Sequence, residues 1–267
     1  MGNLQSKLAS LQAHLEKKAK AEKEAVQEDP RHEITDNTVV KSNALARSYY
    51  RFGLVEKRIM EAMISKLDSR LADLEQCQFI ELPAVEYAKA FNVRLNKAYE
   101  EMEKAVESLM AKVITIRGDK SRKQYALMVY AEYFKGEGKI VASFNPLITK
   151  ELIGLRKNFT SYKLEKAVDF KSSYSWRLFE IMMSWKKSSD PIAGWFTLSL
   201  EELMDMLGAP KNYRWVNLKQ RALDKAIQEI DRELNIKVWY EPIKKGRKIV
   251  MLKFNFIEDD QKKLDLE

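Results

Sequence analysis

The chain is nearly without cysteine and histidine. A single cysteine, Cys77, excludes an intrachain disulfide framework and a zinc site built on several cysteines. Such a residue reads as a small buried or half-buried side chain in a reducing compartment. The two histidines, His14 and His32, both lie in a polar N-terminal stretch. A metal held by paired histidines and a histidine-activated nucleophile are therefore excluded from a folded core. There is no G-x-x-x-x-G-K-[ST] phosphate loop, and Gly136, Gly138 and Lys139 make only a turn. No run approaches the ~20 apolar residues of a membrane span, and the N-terminus has no apolar signal core. The expectation is a cytoplasmic protein with no catalytic site, no metal, no cofactor and no membrane partner.

What is present is length, apolar content and uneven charge. With 267 residues and 45% hydrophobic content, the chain can build about two domains of roughly 150 residues each. The formal net charge is +8. Residues 1–33 are balanced, whereas 34–158 carry 21 basic and 16 acidic side chains and 159–257 carry 18 and 12. The segment 258–267 is acidic. These ranges are the expected organisation: a polar helical or disordered arm, two basic domains and an acidic tail. Basic domains favour a polyanionic partner. In the arm, Leu4, Leu8, Leu11 and Leu15 form one helical stripe of only about two heptads, too short for an isolated coiled coil.

The order of elements repeats. In the second half, a helix from about Ser172 to Lys186 precedes a Ser-Asp-Pro and Gly194 loop. Ser199 with Glu202 three residues on is a capping box, and Gly208 to Pro210 stop the helix it opens. A helix from Arg214 to Leu234 and two alternating strands follow, one through Ile236, Val238 and Tyr240, the other through Leu252, Phe254 and Phe256. In the first half, Met60, Met63, Ile64, Leu67 and Leu71 mark a helix from Leu54. Helices at 83–91 and 94–111 come next, then strands at 113–117 and 123–133 around a polar turn. The expected class is α+β, two tandem winged helices with small antiparallel hairpin wings. The joint between them falls near Leu155–Asn158, where no Gly/Pro-rich linker announces it.

The helix from Arg214 shows how such a module would meet DNA. Trp215, Leu218, Ala222, Ala226, Ile230 and Leu234 form its buried stripe, which leaves Arg214, Asn217, Gln220, Arg221, Asp224, Lys225 and Gln228 outward. Arg and Lys pair with guanine edges, Asn and Gln with adenine. Lys219 projects near the core side but can reach a phosphate. Lys244, Lys245, Arg247 and Lys248 crowd four cations into a hairpin tip, where a polyanion relieves their repulsion. The first module is a poorer reader. Its long helix begins with Arg94, Asn96 and Lys97, but Glu100, Glu101, Glu103 and Glu107 follow. Backbone contact through that first turn and the tip Arg117, Lys120, Arg122 and Lys123 competes with a dimer surface as its role.

Four blocks in order also resemble the Rep_3 family of plasmid replication initiators, over about Thr38 to Phe256. They are Val40-Lys41-Ser42-Asn43-Ala44-Leu45; Leu54-Val55-Glu56-Lys57-Arg58; Lys171 through Glu180; and Glu229-Ile230 through the basic tip to Phe254-Asn255-Phe256. The resemblance implies binding of directly repeated origin sequences (iterons) as a monomer, and of an inverted repeat at the chain's own promoter as a homodimer. It further implies opening of adjacent A+T-rich DNA and recruitment of a host replication initiator and helicase. On the same reading Ser172, Tyr174, Ser175 and Arg177 start a helix that favours a phosphate. Lys225-Ala226 stands where family members often have Glu-Pro, which implies a continuous helix and an added cation. A dedicated winged-helix transcription regulator is the competing class.

Overall fold

The computed structural model describes residues 33–69, 79–118 and 120–259. The leucine stripe, Cys77, both histidines and the tail beyond Asp259 lie outside the described residues. From Ile34 onward the described chain forms one compact unit. β1 (Thr38–Ser42) leads through α1 (Asn43–Ala46) to α2 (Leu54–Ser65), β2 (Ile80–Pro83), α3 (Ala84–Ala90) and α4 (Leu95–Met110). Two hairpins follow, β3 (Val113–Arg117) with β4 (Arg122–Ala126), then β5 (Met128–Phe134) with β6 (Lys139–Phe144). α5 (Pro146–Thr149) and β7 (Phe159–Lys163) close the first half. The second half holds α6 (Ser173–Trp185), β8 (Lys186–Ser189), β9 (Ile192–Ser199) and α7 (Leu200–Leu207). Last come α8, built of Trp215–Leu218, Lys219–Leu223 and Asp224–Leu234, and the hairpin β10 (Ile236–Lys245) with β11 (Lys248–Glu258).

Both halves follow one topology. α2, β2, α3, α4, β5, β6 corresponds to α6, β9, α7, α8, β10, β11, and the sheets run β2-β6-β5 and β10-β11-β9-β8. In each, the first strand of the set pairs antiparallel with the last. The protein is therefore α+β, two winged helices in tandem. The capping box forms: the Glu202 N–H donates to the Ser199 hydroxyl and the Ser199 N–H to the Glu202 carboxylate. Gly208 ends α7 with a φ of 66°, and a Cβ there would lie 2.5 Å from the Tyr50 carbonyl oxygen. Gly208→Ala is accordingly expected to cost about 1–3 kcal/mol. An unchanged urea midpoint would show that this turn is not under such constraint.

Two expectations change. The Ser-Asp-Pro and Gly194 segment is a hairpin rather than a loop, with Lys186 opposite Gly194. A Cβ at Gly194 would fall 2.6 Å from the Phe256 ring and 2.9 Å from the Trp185 carbonyl oxygen, which explains a glycine inside a strand. The expected strand at 123–133 divides at Leu127, whose N–H donates to the Lys112 carbonyl and whose carbonyl accepts from Asn145. The wing of the first module is consequently β5–β6, turning at Lys135 to Gly138, and β3–β4 is an additional hairpin.

The joint expected near Leu155–Asn158 is bridged by contacts on both sides. Just after it, β7 pairs with β1 from Thr38↔Lys163 to Ser42↔Phe159. Beyond β7, α6 locks onto β1 and α2 through buried charge. The Lys41 amine lies 2.7 Å from Glu61 and 2.6 Å from Glu180, and the Lys57 amine 2.6 Å from each carboxylate. Arg177 lies 2.8 Å from Glu180, and the Tyr162 hydroxyl donates to the same carboxylate at 2.9 Å. All six side chains are buried. A cut at 158 would separate Glu180 from its two lysines.

Candidate nucleic-acid interface

The outward face of α8 assembles as its pattern predicts, with one addition. Leu218, Ala222, Ala226 and Ile230 are fully buried, and Leu223 joins them. Buried residues every four positions drift around an α-helix, which turns every 3.6. Lys219–Leu223 forms a π-helical turn in which the Asp224 N–H donates to the Lys219 carbonyl, five residues back. This wider turn takes up the drift and keeps the stripe on the core. The strict four-residue spacing was the signal for it.

Arg214, Gln220, Arg221, Lys225 and Gln228 are exposed and Asn217 is half-buried. Arg214, Arg221 and Lys225 have no carboxylate partner among the described residues, and the Arg221 guanidinium sits 5.8 Å over the Tyr213 ring. Lys219 differs, because its amine holds both Asp224 carboxylate oxygens at 2.7–2.9 Å. That bond raises its pKa and neutralises it locally.

The second wing carries its cations beyond the sheet. β9 pairs with β11 only as far as Met251↔Ser199, so residues 243–250 project as a two-stranded finger. Lys245 pairs with Lys248 around a two-residue loop, and Gly246 takes a φ of 62° at the first loop position. That is where a type II′ hairpin turn requires glycine. Lys244, Lys245, Arg247 and Lys248 are all exposed, with no ion pair among the described residues.

In the first module, α4 stands where α8 stands in the second. Arg94 is its N-cap, with Asn96 and Lys97 exposed in its first turn, and Lys97 lies 3.4 Å from Glu101. Lys120, Arg122 and Lys123 are exposed on the β3–β4 hairpin. Arg117, at the end of β3, is committed elsewhere: it pairs with Asp205 of α7 and lies 3.9 Å from Glu201.

The phosphate group expected at the start of α6 breaks up. Ser172 is the N-cap, its hydroxyl accepting the Tyr174 N–H at 3.1 Å, and both residues are partly exposed. Ser175 and Arg177 are buried and unavailable to a ligand. Besides Glu180, Arg177 donates at 2.8 Å to the Met206 and Ser48 carbonyls. Burial would lower its pKa, but Tyr50 and Glu180 raise it above the ordinary value. The apolar run around it, Trp176, Leu178, Phe179, Ile181, marked α6 as a central helix buried on all sides.

Comparison with known proteins agrees with this architecture. The model for the first winged-helix domain of initiator replication proteins (Initiator Replication protein, WH1) matches residues 38–183. The model for the second (Initiator Rep protein, WH2) matches residues 199–256. The PI protein of Escherichia coli is 25% identical over 252 residues, covering 82% of this chain and 82% of that protein. A crystal structure of Pi initiator protein in complex with iteron DNA superposes with a TM-score of 0.70 at 23% identity, over 85% of this chain and 99% of that one.

Proposed function

The chain belongs to the Rep_3 family of initiator replication proteins, and from that premise we propose that it initiates plasmid replication by binding directly repeated origin sequences as duplex DNA. The observation that carries this reading is the presence in one module of two exposed sets, Arg214, Gln220, Arg221 and Lys225 on α8 and Lys244, Lys245, Arg247 and Lys248 on the β10–β11 finger, whose cations have no carboxylate partner among the described residues. A helix of this width fits the major groove, and a cationic finger beside it lies along phosphates. The related Pi initiator protein was crystallised on iteron DNA, which supports the same ligand here.

On this reading α8 specifies and the wing positions. Arg214, Asn217, Gln220, Arg221 and Lys225 face base edges, while Lys244, Lys245, Arg247 and Lys248 meet the backbone. The first module adds backbone contacts through Arg94, Asn96, Lys97, Lys120, Arg122 and Lys123, or turns the same half to a second copy when the chain dimerises on an inverted repeat. Recruitment of a host initiator and helicase follows binding, so initiation is mechanical rather than catalytic. The protein works in the bacterial cytoplasm, where the plasmid is.

Arg221→Ala tests the base-reading assignment. The variant is expected to lose about 1–3 kcal/mol on the cognate repeat and to relax preference at one base pair. Competition with single-base variants of the repeat measures this. A loss equal for every sequence, scrambled duplex included, would move Arg221 from the bases to the backbone.

A further inference from the structure

Between the start of α2, the start of α6 and the turn after α7 lies a cleft of about 340 Å³, lined among others by Arg51, Gly53, Lys112, Ser173, Tyr174 and Gly208. Its two cations are not equivalent. Lys112 lies 2.8 Å from Glu56, whose carboxylate also accepts the Gly53 N–H at 2.7 Å. Burial alone would raise the Glu56 pKa, but Lys112 and Ser108 together lower it, so this pair is internally balanced. Arg51 is exposed and has no carboxylate partner among the described residues. The backbone beneath it runs close to Gly208, where an added Cβ would lie 2.5 Å from the Tyr50 carbonyl oxygen and 3.3 Å from the Arg51 Cα.

The cleft also connects to the recognition helix. Arg51 and Tyr174 both line the cleft, where burial and the neighbouring Tyr213 raise the Tyr174 phenol and Arg51 lowers it. Tyr213 lies under the Arg221 guanidinium. Arg51, Tyr174, Tyr213 and Arg221 therefore run as one strip from the cleft to the face that reads bases. We propose that this cleft seats one backbone phosphate of the bound duplex, with Arg51 as its cation and the Tyr174 hydroxyl as a neutral donor. A guanidinium matches a phosphate with two parallel N–H bonds. The seat lies where the two modules meet, so it fixes how the duplex passes from one to the other, and it carries no base preference. The inference rests on the duplex-binding reading above.

Arg51→Ala in the full chain, titrated with salt on a cognate and a scrambled duplex, tests it. The slope of log affinity against log salt should fall by about 0.9, with both duplexes weakened by the same factor. The origin duplex should also be scanned with single methylphosphonate substitutions, each of which removes one phosphate charge. One position should weaken wild-type binding and have no effect on Arg51→Ala, which identifies the phosphate as the duplex's own. An unchanged slope for Arg51→Ala, alongside a flattened slope for the Lys244, Lys245, Arg247 and Lys248 variant, would overturn this seat alone. Unchanged slopes for both would overturn the duplex reading with it. An unaltered urea midpoint for Arg51→Ala confirms that folding is not the cause.

Discussion

Glu180→Ala is expected to remove about 3–5 kcal/mol of folding stability, a large part of what a typical domain has. The carboxylate is fully buried and within 2.8 Å of Lys41, Lys57 and Arg177. Without it those three buried cations would face only the Glu61 carboxylate, and an uncompensated buried charge is far costlier than a lost contact. The same network gives a pH dependence. Burial alone would push the Glu180 carboxyl up, but Lys41, Lys57 and Arg177 hold it well below its ordinary value. A carboxyl depressed on folding contributes stability in full above its unfolded pKa of roughly 4.3, and loses it as pH falls through the lower folded value. Urea unfolding followed by tryptophan fluorescence, to which Trp176 contributes from beside Tyr162, reads both effects. A Glu180→Ala loss below about 1 kcal/mol would show that the network does not hold α6 to β1 and α2.

Replacing Lys244, Lys245, Arg247 and Lys248 together by alanine is expected to abolish most of the affinity for any duplex. Each phosphate contact contributes about 0.9 to the salt slope, so four contacts account for up to about 3.6. Because the finger projects past Met251, beyond its pairing with β9, the substitutions touch no core residue and should leave folding unchanged. Preference among sequences should persist at low salt, since α8 is intact. A slope equal to that of the wild type would take the finger out of the interface.

The parts of the fold that were legible in the sequence are those governed by local rules. The Ser199 capping box, the Gly208 stop and the alternation through Leu252, Phe254 and Phe256 depend on near neighbours, and all three hold. The features that escaped depend on partners far along the chain. Lys41, Lys57 and Glu180 sit in the blocks that carry the family resemblance, yet nothing local shows that they meet in the core. The resemblance implies a phosphate role for Arg177 at the start of a helix beside Ser172, and the packing around Trp176 and Phe179 withdraws it. Arg117 ends a hairpin strand, and its partner Asp205 lies 88 residues further on, where no local pattern reveals it. The outward set on α8 needed only its own period, and the residues placed outward are exposed or half-buried in the fold.

The most direct test of the central claim is hydroxyl-radical footprinting of the full chain on its plasmid origin. The account predicts evenly spaced backbone protections over directly repeated sequences, all in one orientation and with the same pattern in each repeat. Protection confined to a single inverted repeat at a promoter would identify a transcription regulator instead, and protection without sequence preference would contradict base reading by α8.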